Sequence, residues 1–247
     1  PMNKAINPSS DDTSASGQEK RVETQRAPCT NDSTSIKVWD LPIRVFHWGL
    51  VITLCVSAYT GLTGGFTGMD IHMQSGVVAL ALVAFRIGWG VLGSHYARFA
   101  QFVRGPRAVL QSIRAPTDAP GHSPLGALSI IALLVSLLLQ IGTGLFANDD
   151  IFTEGPLAHW VTYETSRQLT AIHETNIWIL GGLIALHLSA ISYYELRRGK
   201  RLILAMLTGR QPAETGSPEA DDTMGTRLFG IALFGVASAG VYWLTTL

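Results

Sequence analysis

Apolar and polar positions along this chain fall into long blocks rather than short periods. A leading segment of about 36 residues is rich in Ser, Thr, Asp, Asn, Gln, Glu and Pro and almost free of large apolar side chains. Such a segment cannot bury enough surface to offset its ordering entropy, which predicts a disordered tail over residues 1–36. Five apolar stretches follow, at about 43–62, 71–92, 125–146, 170–196 and 227–247, each long enough to cross a bilayer as a helix. The fold expected is all-α: a transmembrane four-helix bundle over 37–212, a linker over 213–226 and a fifth, C-terminal transmembrane helix over 227–247. Between the first two stretches, GLTGGFTG has neither the lysine nor the strand-to-helix context of a phosphate loop and reads as a tight turn. Residues 201–208 read as a short interfacial helix.

Composition agrees with the blocks. Of 247 residues 47% are hydrophobic and only 15% charged, and the mean hydropathy is +0.26, values of a polytopic membrane protein embedded in a lipid bilayer. The formal net charge is zero, so nothing points to a nucleic-acid partner. Two cysteines, Cys29 and Cys55, make no disulfide framework, and without a C-x-x-C-H motif nothing would attach haem covalently. No short apolar core follows a basic start, so the tail is expected to stay on the side where it is made. The loop after the second stretch holds Arg98, Arg104, Arg107 and Arg114, and that after the fourth holds Arg197, Arg198, Lys200, Arg201 and Arg210. The loop before the fourth has Arg167 alone. The positive-inside rule then predicts a cytoplasmic N-terminus and a periplasmic C-terminus in the bacterial inner membrane.

Two histidines in the fourth stretch, His173 and His187, carry the candidate chemistry. Fourteen residues apart, they lie within roughly 40° of one another around a helix and about 21 Å apart along it, one toward each side of a hydrocarbon core of about 30 Å. Imidazole at membrane depth is costly and is the commonest metal ligand, so the pair marks a functional site. The predicted topology puts His47 of the first stretch at the inner level with His187, and His72 of the second at the outer level with His173. Two couples, each joining the fourth helix to another, suit axial ligation of two non-covalent haems b. Iron with imidazole on both faces has no vacant position and favours electron transfer.

Around these couples, Gly76 shares a face with His72, and Gly181 and Gly182 lie midway between the fourth-helix histidines. Arg86 follows His72 by the same 14-residue step, which makes it, with Arg44, a candidate propionate partner of the inner haem. Arg167 is a weaker candidate for the outer one. His95, His122 and His159 fall in loops, where solvation is the default; His159 beside Trp160 could also border a quinone or partner site.

The runs VWDLPIRVFHWGL, FRIGWGVLGSHYARFAQFVRGP, HETNIWILGGLIALH and LILAMLTGR resemble the prokaryotic cytochrome b561 family, over residues 38–210. That family includes the b-type cytochrome subunits of membrane nickel-iron hydrogenases and cytochromes b that work beside periplasmic c-type cytochromes. The resemblance implies two haems b held by His47, His72, His173 and His187. It also implies quinone-linked electron transfer between a periplasmic partner, a c-type cytochrome or a hydrogenase subunit, and the membrane quinone pool. The R-x-x-W-G and A-R-F-x-x-F runs favour the cytochrome c partner. Such a chain is an electron-transfer subunit, with quinone oxidoreductase activity an option within a complex. The long tail and the fifth span depart from the family's four-helix pattern.

Two readings compete from other classes. A membrane metalloenzyme built on HETNI lacks the second histidine of H-E-x-x-H, since Ile177 stands there. A haem-free anchor or transporter subunit would show no b-type spectrum. Among haem proteins, an ascorbate-type reductase would resemble a six-helix bundle, against five spans here.

Overall fold

A computed structural model describes residues 34–103, 105, 107, 121–151, 153–213 and 216–246. The expectations for residues 1–33, with Cys29, and for Arg104, Arg114 and Leu247 fall outside the described residues. Five helices long and apolar enough to cross a membrane form the body: α1 Leu41–Thr63, α2 Phe66–Leu92, α3 Pro124–Gly144, α4 Tyr163–Arg198 and α5 Met224–Thr245. A short helix, Leu202–Thr208, follows α4 as expected. The all-α expectation holds with one small addition. Strands β1, Thr34–Lys37, and β2, Arg210–Ala213, pair antiparallel, so the end of the stretch read as tail and the end of that read as the four-helix domain form a ribbon.

Helix ends follow local chemistry that hydropathy does not register. Side-chain caps start four of the spans: Asp40 accepts from Ile43 N, Ser123 from Gly126 N, Thr162 from Thr165 N and Thr223 from Thr226 N. α4 therefore begins at Tyr163 rather than 170, because its first polar turns still satisfy their own backbone outside the apolar zone. At about 1.5 Å per residue its 36 residues reach roughly 54 Å, well beyond a hydrocarbon core of about 30 Å. α2 likewise starts at Phe66, after a turn in which Gly64 and Gly65 take φ of 64° and 80°, a region that disfavours a Cβ. α3 stops at Gly144 because the returning loop takes over: Leu157 N donates to Leu145 O (2.8 Å) and Gly155 N to Ala147 O (2.7 Å).

α1 packs on α2 and α3 on α4, α2 joins the two hairpins through α3, and α5 lies against α2 with a lighter contact to α1. Lipid supplies no hydrophobic drive between helices, so close approach and side-chain packing must hold them. Small residues permit that approach. A Cβ on Gly230 of α5 would stand 2.8 Å from Pro42 Cγ, and one on Gly88 of α2 would stand 3.3 Å from Leu233. Phe229 and Phe234 of α5 then meet Trp89 and Phe85 at ring separations of 5.8 and 6.0 Å.

The densest packing lies at the ribbon end, where Val38, Trp39, Ile43, Phe46, Phe85 and Trp89 form one buried cluster. Asp40 is fully buried at its centre. Besides capping α1 it accepts from Trp89 Nε1 (3.1 Å) and from Ser94 Oγ, and burial raises its carboxyl above the ordinary value. Asp222 ties the same end to α5 through Lys37 (2.8 Å), Arg227 (3.0 Å) and Leu41 N (3.1 Å). Burial pushes the Asp222 carboxyl up, but Arg227, Lys37 and the Leu41 N–H outweigh it and hold it well below the carboxylate range.

A depressed folded-state pKa contributes stability above the unfolded value of about 4, lost as pH falls through the lower folded value. Asp222→Asn is therefore expected to melt several degrees below the parent at neutral pH, with the gap closing in acid. Thermal unfolding of both proteins between pH 7 and pH 3 checks it.

Candidate haem-binding site

α4 carries two of the four candidate ligands yet is the least enclosed span: only Ser166, Asn176 and Leu180 of it are buried. Its histidines face α2 at one level and α1 at the other. At the end far from the ribbon, His72 and His173 come together with ring centroids 6.0 Å apart and planes at 85°. Two imidazoles bonded to opposite sides of one metal ion, each by a bond of about 2 Å, have ring centres roughly 6 Å apart. The far-end couple fits that spacing.

Both rings are held by the same device. His72 Nδ1 donates to the Ser57 carbonyl of α1 (2.8 Å), and His173 Nδ1 donates to the Gln140 carbonyl of α3 (2.8 Å). A carbonyl can only accept, so Nδ1 carries the proton in each ring and the lone pair sits on Nε2, the tautomer a metal needs. Three residues beyond each accepting carbonyl stands a threonine that bonds back to it: Thr60 to Ser57 O (3.3 Å) and Thr143 to Gln140 O (3.1 Å). A glycine follows each. A Cβ on Gly61 would lie 2.8 Å from His72 Cε1, and one on Gly144 would lie 2.8 Å from His173 Cε1. The Thr60–Gly61 and Thr143–Gly144 pairs thus form matching cradles on two hairpins.

Gln140 does more on its side. Its Nε2 donates to His173 Nε2 (3.2 Å), occupying the lone pair that a metal would have to take over, and to His173 O (3.1 Å), while its Oε1 accepts from Asn176 Nδ2 (2.8 Å), which also donates to Ser136 O (2.9 Å). Gly144→Val is expected to turn His173 off Gln140 and cost about half of the bound haem. Gly142→Ala, at a position where a Cβ meets nothing within 4 Å, is the control. Pyridine haemochrome content of the two proteins measures the difference.

At the ribbon end His47 of α1 lies within electrostatic reach of His187. The His47 ring is edge-on to Trp48 (5.1 Å), and its Nδ1 is buried without a partner. Gly76, Gly181 and Gly182 each face open space, where a Cβ would meet no atom within 4 Å. The far-end pair of half-buried imidazoles, and the open space at these glycines, fit a bound macrocycle that His72 and His173 would hold. Among the described residues no three His, Cys, Asp or Glu side chains converge, as a protein-only metal cage would need.

The arginines are partly committed elsewhere. Arg86 is buried, with Nη1 donating to Ala97 O (3.2 Å) and its guanidinium 4.5 Å from the Phe99 ring centre. Arg44 Nη2 donates to Leu207 O at the end of the short helix, while its Nε is buried and unpartnered. Arg167 is exposed and reaches Asp150 at 3.7 Å. His159 and Trp160 are exposed.

His122 departs from its expectation as a solvated loop residue. Its ring packs between Trp39 (4.6 Å) and Phe102 (4.5 Å), Nδ1 is buried without a partner, and Arg86 and His187 lie within electrostatic reach. Burial first, then those two neighbours, lowers its pKa to about 3, so the ring is neutral at physiological pH. The flanking Trp39 lies more than 80 positions away and Phe102 sits on a short helical turn, Phe99–Phe102, that hydropathy does not mark, so the burial of His122 is not legible from its position along the chain.

Residues 38–209 match the family model described as prokaryotic cytochrome b561. The chain is 21% identical over 227 residues to the probable Ni/Fe-hydrogenase B-type cytochrome subunit of Azotobacter chroococcum mcd 1, covering 75% of this chain and 92% of the relative. It is 21% identical over 234 residues to the same-named protein of Rhizobium leguminosarum bv. viciae, covering 78% and 92%. Over 215 residues it is 21% identical to the probable Ni/Fe-hydrogenase 1 B-type cytochrome subunit of Escherichia coli (strain K12), covering 72% and 92%. No solved structure matches the chain significantly. With five spans and imidazoles paired at the far end, and a family match over most of its length, the chain belongs to the prokaryotic cytochrome b561 family and is a multi-pass b-type membrane cytochrome.

Proposed function

We propose that the protein carries two haems b, one held by His72 and His173 and one by His47 and His187, and passes electrons across the bacterial inner membrane between a periplasmic redox partner and the quinone pool. The observation that carries this reading is the far-end couple: two rings 6.0 Å apart on different helices, each with Nδ1 spent on a carbonyl. In this reading residues 37–212 are the haem-binding domain, 213–226 a linker and 227–247 an added span, with the N-terminus and the 1–36 tail in the cytoplasm.

Bound haem supplies a one-electron iron centre. The chain does the rest. Ser57 and Gln140 fix the tautomer and orientation of the far-end imidazoles, and Thr60 and Thr143 hold those carbonyls in turn. Two imidazoles holding each haem would leave its iron no position for oxygen or substrate, which would keep the chemistry to electron transfer. Arg44 and Arg86 stand at the ribbon end, where they balance propionate charge, Arg44 through its free Nε. The level difference between His173 and His187 sets one site toward each face of the membrane.

A hydrogenase is the partner favoured among periplasmic redox proteins, because the relatives named above are described as Ni/Fe-hydrogenase cytochrome subunits; a c-type cytochrome is the alternative. A redox titration of the purified full-length protein, followed by its reduced-minus-oxidised spectrum, tests the core of the reading. Two b-type components are expected. A single component, or no b-type bands, would overturn it, and reduction of the bands by dihydrogen in membranes separates the hydrogenase partner from the cytochrome c partner.

A further inference from the structure

Beside Trp89, on the flank where α5 meets α2, lies a groove of about 590 Å³ that the redox reading does not use. Its walls lie more than 120 positions apart in the sequence, and Arg98 on one opposes Glu219 and Asp221 on the other. His95 and Arg98, in the turn after α2, form a basic wall, and Glu219 and Asp221, in the segment before α5, form an acidic one. Arg98 Nε is buried and has no hydrogen-bond partner, although its side chain lines the groove. Asp221 accepts from Thr223 N (3.1 Å), and hydrogen bonds from Thr226 and Thr223 hold its carboxyl below the usual range, so it is ionised. Thr223 and Gly225 bring the first turn of α5, the positive end of a 22-residue helix, to the same opening.

The floor is apolar and runs in one direction. Leu92 in the last turn of α2 and Phe229 in the second turn of α5 are both exposed and lie within the spans, whereas His95, Arg98, Glu219 and Asp221 lie outside them. The groove is therefore amphipathic along the membrane normal: greasy where the helices enter lipid, charged where they leave it. A soluble anion would meet two carboxylates, and a soluble cation would meet an arginine. A ligand with an anion and a cation a few ångströms apart, joined to a hydrocarbon chain, satisfies every wall.

We propose that this groove binds a phospholipid whose headgroup carries a primary ammonium, a phosphatidylethanolamine. The phosphate sits between Arg98, His95 and the start of α5, the ammonium between Glu219 and Asp221, and an acyl chain runs along Leu92 and Phe229. A primary ammonium offers three N–H donors to the carboxylates and a quaternary one offers none, so the acidic wall selects phosphatidylethanolamine over phosphatidylcholine. The basic wall selects any phospholipid over a neutral glyceride. The site stands apart from the haem couples and does not depend on their assignment.

Native mass spectrometry of the full-length protein, released from detergent after incubation with equal amounts of phosphatidylethanolamine, phosphatidylcholine and phosphatidylglycerol, tests it. The expected result is one retained phosphatidylethanolamine, favoured roughly tenfold over phosphatidylcholine, as the loss of one charge-assisted hydrogen-bonded contact predicts. Arg98→Ala should abolish the retention, and Glu219→Gln should erase the discrimination between the two zwitterionic lipids while lipid is still bound. Haem content and melting temperature of each variant show whether it has folded, and Glu219→Gln at an exposed position carries the test if Arg98→Ala does not. Retention of the three lipids in proportion to supply, preference for phosphatidylglycerol, or variants identical to the parent would overturn the proposal. Soluble glycerophosphoethanolamine retained as tightly as the intact lipid would overturn it too, since the acyl chain would then add nothing.

Discussion

Purified His173→Ala protein is expected to hold about half the haem of the parent, with the far-end component gone and the ribbon-end component kept. Truncation removes the proposed donor on α4 and also leaves the Gln140 carbonyl without the Nδ1–H that now meets it at 2.8 Å. His187→Ala is expected to do the converse, because its proposed partner His47 belongs to a different helix and a different level. The two variants differ in which spectral component survives, so pyridine haemochrome content with a redox titration separates them. Equal retention in both would dissolve the pairing. The double variant should retain almost no haem while still inserting, since neither ring is among the buried residues that hold α4.

The largest stability effect should come from Asp40→Ala, at about 3 kcal/mol. That change strips the cap from Ile43 N and leaves Trp89 Nε1 and Ser94 Oγ facing an apolar pocket, in a cluster where Trp89 and Val38 are fully buried. Asp40→Asn keeps an acceptor for Ile43 and should cost less than half as much. The pH dependence has a definite sign. Burial raises the folded-state pKa of Asp40, so its contribution is fully present below the unfolded carboxylate value and is lost as pH rises through the folded one. The parent should therefore gain on Asp40→Asn as pH falls from neutral, the opposite trend to Asp222→Asn. Denaturation midpoints of the three proteins across that range decide it.

The candidate histidines are legible because imidazole is rare and conspicuous inside lipid, and because a 14-residue step fixes both face and level before any fold is known. The spans are legible for the same reason: twenty apolar residues have few alternatives. What holds the ligands is not. Ser57 and Gln140 act through backbone carbonyls, which every residue has, so no side chain announces them. The only trace is the repeated Thr–Gly pair at 60–61 and 143–144, whose meaning emerges once the histidines are seen lying on it. Arg86 is legible by the same 14-residue step, counted from His72 on its own helix, but its commitment to Ala97 and Phe99 depends on how the following segment folds back. The β1–β2 ribbon escapes for a third reason: each strand is four residues long, and its partner lies more than 170 positions away.

That ribbon governs the order in which the protein can be completed on the ribosome. Val38 N and Trp39 N donate to Gly209 O, and Lys37 O receives Ala220 N. Asp40 can meet Trp89 and Ser94 as soon as the first hairpin exists, but the backbone of residues 37–39 lacks these partners until the fourth span has been made and residue 220 has emerged. α1 and α2 can insert early as a hairpin, but the end bearing His47 closes only near the finish of translation, in time for a preformed four-helix body to be locked from one side.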